Sequence, residues 1–292
     1  MNWNAPEIRA LVRSALREDH ARADLTTRLL IRRRWRLEAT IVAKQSGVVA
    51  GLPLAARVLR ALDATIRFKA MVSDGSAVKP GQRLALIRGK ARAVLSAERA
   101  ALNALQHLSG IATFTREQVN KLKGTGARLY DTRKTLPGWR LLQKYAVRCG
   151  GATNQRMSLG DAILIKENHL KVVRLAGRLR RASPKAGSDW YSRVRSLPIQ
   201  LEVQTARDLR DALRLKPQRV LLDNLTLRAL KRMTRILRKA VPGIESEFTG
   251  GVRPKNLRFL AKLRPERISM GRLTHSFPAF DCSLDITRVY AH

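Results

Sequence analysis

The sequence predicts an α/β protein in two parts, a smaller α+β domain over residues 1–108 and a domain of strand–helix repeats over 109–273. The first observation is a cycle that recurs from about residue 127 onward: a short apolar run, then polar residues, then a segment with apolar positions three or four apart. Strands that alternate with helices in this way make βαβ units and a parallel sheet. Second, no Gly-rich dinucleotide fingerprint accompanies the repeats, which favours a barrel over a doubly wound nucleotide fold. Third, residues before 108 read instead as strands joined by Gly, Asp and Pro turns, followed by one long amphipathic helix.

Taken in order, "MNWNAPEIRALVRSALRED" predicts a helix starting near Pro6, with Ile8, Leu11, Val12, Ala15 and Leu16 on one face. Strands are predicted within 37–51 and 66–89, and a helix over 91–108. "VKPGQRL" has the look of a biotinyl-type hairpin turn, but no modifiable lysine motif accompanies it, so it reads as a structural turn. The repeating strands are "ARLYDTRK" (127–134), "AILIKENH" (162–169), "IQLEVQ" (199–204), "RVLLDN" (219–224), "IESEFTGG" (244–251) and "RISMGRL" (267–273). Helical spacing fills the gaps between them, except that 181–198, rich in Pro, Gly and Ser, reads as a surface excursion.

The 292 residues carry 58 Lys+Arg against 22 Asp+Glu, a formal charge of +36. A mean hydropathy of -0.24 with 45% hydrophobic residues still describes a chain with enough apolar content to bury a core. The positive field attracts phosphorylated or carboxylated ligands, and also polyanions. Aromatic residues are only 5% and no base-reading motif interleaves them with cations, so nucleic-acid binding is expected to be non-specific only. Cys149 and Cys282 make no disulfide framework or metal spacing, which points to a reducing, cytoplasmic location. No signal-type apolar region and no membrane-length apolar run occurs, and the "NLT" sequon at 224–226 then reads as a chance match.

In a strand–helix barrel the C-terminal strand ends form the active site. Here those ends carry Arg133 and Lys134, Lys166, Glu202, Asp223 with Asn224, Thr249-Gly250-Gly251, and Gly271. Together with Arg156, the cations suit carboxylate and phosphate groups, and glycine amides can approach phosphate oxygens. Glu202 and Asp223 are misplaced beside an anionic ligand unless they hold sugar hydroxyls or a divalent cation, and Mg2+ with mostly water and substrate ligands meets that need. Read singly, each position is equally well a solvated loop residue, and Arg99 an ordinary helix-face cation paired with a neighbouring acid. His107, His169 and His275 lack metal spacing and read as core or capping residues.

The same positions resemble the quinolinate phosphoribosyltransferase family. The likeness runs in order through "EDHARADLTT" (18–27), the 74–113 stretch beginning "DGSAVKPGQRL", "DTRKTLPGWRLLQKYAVRCGGATNQRMSLGDAILIKENH" (131–169), "LEVQ" (201–204), "LLDN" (221–224), "FTGG" (248–251) and "SMGRLTHSFPAFDCSLDI" (269–286). It implies the type II phosphoribosyltransferase architecture: an N-terminal α/β sandwich domain, onto which about 274–292 packs back, and an incomplete α/β (TIM-like) barrel. It also implies a homodimer, or a higher oligomer of such dimers, in which Arg99 reaches the pyridine dicarboxylate in the partner's barrel. Thr132, Arg133, Lys134, Gln155, Arg156 and Lys166 would then surround the dicarboxylate and phosphates, with Lys134, Lys166, Glu202 and Asp223 at the reacting centre. Glu202 and Asp223 would hold ribose and Mg2+, partly through water, and Thr249, Gly250, Gly251 and Gly271 the 5-phosphate. The implied reaction joins quinolinate to 5-phosphoribosyl 1-pyrophosphate with loss of CO2.

This chain departs from the family pattern at several points. Gln155 stands where the motif reads histidine, keeping an amide donor but unable to carry charge. Ala21, Ala23, Ala152 and Ser158 replace glycines. Gln155 keeps open a second acceptor class, that of the molybdenum-transport-associated relatives of the same architecture, and the +36 charge keeps open a basic nucleic-acid-binding protein.

Overall fold

The structure, a computed structural model, describes residues 1–175, 197–213 and 217–291. The 181–198 excursion lies outside the described residues apart from 197–198. The chain forms two compact units: Met1–Glu117 with Thr135–Ala152 and Leu273–His292, and Gln118–Lys134 with Thr153–Arg272. No helix among the described residues is long and apolar enough to cross a membrane.

The first unit opens with α1 (Pro6–Glu18), whose Pro6 sits in the first turn and whose Ile8, Val12 and Leu16 are buried four residues apart. A short helix α2 (Leu25–Leu30) follows, capped by Asp24, whose carboxylate accepts from the Thr27 N–H at 3.0 Å. The predicted strand 37–51 is divided into β1 (Arg36–Ala43) and β2 (Gly47–Val48), leading into α3 (Leu52–Leu62). The predicted 66–89 strands are β3 (Arg67–Ala70), β4 (Ala77–Val78) and β5 (Arg83–Lys90). The last strand, β12 (Cys282–Tyr290), completes an antiparallel sheet in the order β12-β1-β5-β3, with Ala43 opposite Cys282 and Arg36 opposite Tyr290. Ile41, Leu84, Ile87, Leu59, Val94 and Leu105 are fully buried in this unit, each contributing about 1.5–3 kcal/mol by leaving water.

The long helix α4 spans Ala91–Leu122 rather than ending at 108. Ser109-Gly110 looks like a stop in sequence, but it is a packing notch. A Cβ on Gly110 would lie 2.4 Å from the Pro278 carbonyl oxygen, and the Ser109 hydroxyl donates to the Ala50 carbonyl. The first compact unit accordingly continues along α4 past 108, to Glu117. Residues 135–152, read as barrel, belong to the first unit through helix α5 (Arg140–Cys149). Its buried Gln143 bonds the His107 ring at 2.9 Å and the Thr274 carbonyl, Tyr145 bonds Asp74, and Arg116 donates to the Cys149 and Gly150 carbonyls. A short helix α10 (Arg272–His275) precedes β12.

The second unit is built on a parallel sheet of β6 (Arg128–Tyr130), β7 (Ile163–Ile165), β8 (Ile199–Val203), β9 (Arg219–Asp223), β10 (Glu245–Thr249) and β11 (Arg267–Ser269). Their order is β6-β11-β10-β9-β8-β7. Among the described residues the edge strands β6 and β7 do not pair with each other, so the TIM-like ring is incomplete. Helices α6 (Glu167–Leu175), α7 (Ala206–Leu213), α8 (Leu227–Ala240) and α9 (Leu257–Ala261) connect the strands. Burial on both faces explains the apolar runs: Val220, Leu221, Leu222, Phe248 and Ile268 are all at most 2% exposed.

Polar side chains gather toward the start of these strands. Glu245 takes two nitrogens of Arg219 at 2.7 and 2.9 Å and Arg267 at 2.9 Å, with Arg128 at 3.8 Å. Arg267 also stacks over Tyr130 at 4.4 Å. Burial pushes the Glu245 carboxyl up, but the hydrogen bonds and charges of Arg219 and Arg267 outweigh it and hold the group below its ordinary range.

Candidate active site

The opposite, C-terminal ends of the six strands carry the residues singled out in the sequence. β6 runs into the fully buried Asp131 and then Thr132, Arg133 and Lys134. The Thr132 hydroxyl accepts the Lys134 N–H at 3.0 Å, turning the chain so that Lys134 is exposed. Lys166 follows β7, and its backbone N–H is capped by His169 Nδ1 at 2.9 Å, the capping role expected of that histidine. Its ammonium lies 3.2 Å from Glu202 on the neighbouring β8, where Glu202 is mostly withdrawn from solvent.

Arg156 reaches the same region from the irregular 154–156 segment and donates to the Ala162 carbonyl at 3.1 Å. Burial first, and then the like charge of Arg133, weaken its hold on its proton, while Asp161 and Glu202 pull the other way. Arg133, Arg156, Lys166 and Glu202 thus share one electrostatic neighbourhood. Arginine remains a cation in any case, so the mouth gathers positive charge.

Asp223 closes β9 and accepts from Gln204 Nε2 at 3.1 Å. Beside it, Asn224 adopts a φ of 50° and donates its N–H to the Thr249 carbonyl at 3.0 Å. Gly250 and Gly251 have φ of 69° and 60°. A Cβ on Gly250 would come within 2.5 Å of Asn224 N and 2.6 Å of Asp223 Oδ1, so glycine is required both by conformation and by close approach. Gly271 follows β11 at the same end of the sheet, after Met270, whose N–H bonds the Tyr130 carbonyl. The C-terminal strand ends of this unit therefore carry the candidate residues other than Gln155 and Arg156, which lie in the irregular 154–156 segment, and Arg99, which belongs to the first unit.

The profile described as "Quinolinate phosphoribosyl transferase, N-terminal domain" matches residues 24–109, and the corresponding C-terminal domain profile matches 111–285. The chain belongs to the quinolinate phosphoribosyltransferase family. It is 35% identical to a probable nicotinate-nucleotide pyrophosphorylase [carboxylating] of Synechocystis, over 94% of this chain and 90% of that protein. It is likewise 35% identical to the nicotinate-nucleotide pyrophosphorylase [carboxylating] of Mycobacterium leprae, over 95% and 96%. The solved nicotinate-nucleotide pyrophosphorylase of Francisella tularensis superposes with a TM-score of 0.83 at 32% identity, covering 97% of this chain and 98% of that one.

In this member of the quinolinate phosphoribosyltransferase family, Arg99 lies in the first unit, exposed on α4. It makes no ion pair among the described residues, although its charge is felt by Glu98 and Cys282. The simple reading of a salt-bridged helix cation does not hold. His107 is a core residue as expected, its ring 5.0 Å from both Trp139 and Phe277, and His275 is exposed against the Ser276 hydroxyl. The sequence reading missed Asp131 and Glu247. Glu247 is 0% exposed; its Oε1 accepts from Gln155 Nε2 at 2.7 Å and Ser269 Oγ at 2.5 Å. The period-two spacing of Glu245, Glu247 and Thr249 in "ESEFTGG" was the available signal, since it puts one carboxylate in mid-strand on the Thr249 face.

Proposed function

We propose that this chain transfers the phosphoribosyl group of 5-phosphoribosyl 1-pyrophosphate to quinolinate with loss of CO2, giving nicotinate mononucleotide and pyrophosphate. The observation that carries the reading is the family match over 24–285 combined with the cations Arg133, Lys134, Arg156 and Lys166 at strand ends beside Glu202 and Asp223. The quinolinate ring nitrogen attacks C1 of the ribose as the C1–O bond to pyrophosphate breaks, and the leaving group takes the electron pair. The cations stabilise the departing anion, an electrostatic contribution of the kind that dominates many enzymes. The bond from ring C2 to its carboxylate then breaks, the quaternised ring holds the released pair, and a proton from water replaces CO2. No dedicated acid or base is needed, so positioning does most of the work.

Mg2+ belongs to this reading. Among the described residues no three His, Cys, Asp or Glu side chains form a metal-binding group. Glu202 and Asp223 supply two carboxylates on adjacent strands, a donor set that fits Mg2+ ligated mainly by substrate and water oxygens. The ion would neutralise pyrophosphate charge. A homodimer belongs to it as well, with the exposed Arg99, which makes no ion pair among the described residues, gripping a dicarboxylate in the partner's barrel. Cytoplasmic location fits the two free thiols, Cys149 and Cys282.

The test is incubation with Mg2+, 5-phosphoribosyl 1-pyrophosphate and either quinolinate or nicotinate. CO2 and nicotinate mononucleotide are expected from quinolinate, and their absence overturns the assignment.

A further inference from the structure

The 154–156 segment carries Gln155 and Arg156 into the site although it belongs to no helix or strand. A loop that positions ligand groups needs supports outside itself. Two carboxylates supply them. The Gln155 backbone N–H donates to Asp131 Oδ1 at 2.7 Å, and its side-chain amide donates to Glu247 Oε1 at 2.7 Å. Residue 155 is thus held at both ends, by the end of β6 and by the middle of β10.

Glu247 is unusual for its place. It is completely buried, two residues before Thr249 and on the same face of β10, so it lies one pleat below the strand end. Ser269 on β11 bonds the same oxygen from the other side, while Oε2 has no hydrogen-bond partner among the described residues and Arg219 Nη1 stands 3.8 Å from it. Leaving a carboxyl half-satisfied in an interior is costly. Burial accordingly pushes this carboxyl above its ordinary range, against the opposing pull of Ser269, Arg219, Gln155 and Arg267. An apolar residue would pack there at lower cost, and among the described residues the connection Glu247 makes toward the strand ends is Gln155.

We propose that Glu247 is a positioning residue, which through Gln155 fixes the 155–156 segment and so sets the grip on the pyridine dicarboxylate without touching it. The inference rests on the quinolinate reading above. The experiment is steady-state kinetics with both substrates for the wild type, Glu247→Gln, Gln155→Ala and the double variant. Glu247→Gln is expected to raise KM for quinolinate about tenfold while KM for 5-phosphoribosyl 1-pyrophosphate stays within about twofold, and to add little in the Gln155→Ala background, as coupled neighbours do. Effects that multiply in the double variant, or both KM values rising together, overturn the proposal. If Glu247→Gln does not fold, Ser269→Ala loosens the same carboxylate. It is expected to raise the quinolinate KM about threefold by the same coupling, and an unchanged KM overturns the proposal. A wild type that makes no product from quinolinate refutes the functional reading instead.

Discussion

The two ends of the six-stranded sheet place the same residue types in different surroundings. At the start of the strands Arg219, Arg267 and Arg128 converge on one carboxylate, Glu245, and Arg267 is further occupied by the Tyr130 ring. At the far end Arg133, Arg156 and Lys166 share a neighbourhood with Asp161 and Glu202, Glu202 lies 3.2 Å from the Lys166 ammonium, and Lys134 is turned out to solvent. Guanidinium groups whose donors end on protein acceptors hold strands together. In the proposed function the cations at the far end instead hold an external anion. A count of charges in sequence cannot separate these cases, because the difference lies in which partners the register delivers.

Lys134→Ala tests the mouth with the largest expected effect, a loss of about 10²–10³ in kcat/KM with an unchanged melting temperature. Arg99→Ala is expected to match it, and mixing the two inactive variants restores part of the activity if one site draws on two chains. Steady-state assays on the mixture, with heterodimers demonstrated, decide this, since no recovery breaks the shared site. Gly250→Ala comes next. It forces a side chain into a positive φ against Asn224 N, so about 1–3 kcal/mol of stability should be lost in urea unfolding, together with a higher KM for 5-phosphoribosyl 1-pyrophosphate.

Glu245→Gln probes the base, where the contrast predicts a stability cost of about 1–3 kcal/mol at neutral pH and turnover within about twofold. Because the folded state lowers the pKa of Glu245, its contribution is present above the ordinary carboxylate value and is lost as pH falls through the lower folded value. The variant's deficit should therefore shrink in acid, and a deficit independent of pH would remove the charge from the explanation. Glu247, with its pKa raised, has the opposite slope: the wild type loses stability relative to Glu247→Gln as pH rises through the folded value. The smallest effect is expected at the N-cap of α8. Thr226→Ala removes the cap on the Ala229 N–H and should cost about 1 kcal/mol, with kinetics unchanged.

Much of this arrangement was legible beforehand. The alternation of apolar runs and helical spacing gave the parallel sheet, and "DTRK", "LEVQ", "LLDN" and "FTGG" placed Lys134, Glu202, Asp223 and Gly250 at strand ends because strand ends follow apolar runs. The length of α4 was not legible, since Ser109-Gly110 has the composition of a stop and becomes a packing notch only once Pro278 lies against it. Nor was the place of 135–152, whose helical spacing fits either unit until Gln143 meets His107 and Thr274.

What the sequence by itself determined, then, is the repeat, its periods and the identity of the residues at each strand end, because these are local properties of composition and spacing. Only the tertiary structure decided which charges are spent on one another. Arg219 and Arg133 each adjoin an apolar strand, and Glu245 and Glu247 are two residues apart. The register of β9, β10 and β11 sends Arg219 and Arg267 to Glu245 and Ser269 to Glu247, while the irregular 154–156 segment brings Gln155 to the same carboxylate. Such pairings join residues 22 to 92 positions apart, and they are set by strand register and by where the folded chain brings a loop, not by sequence separation.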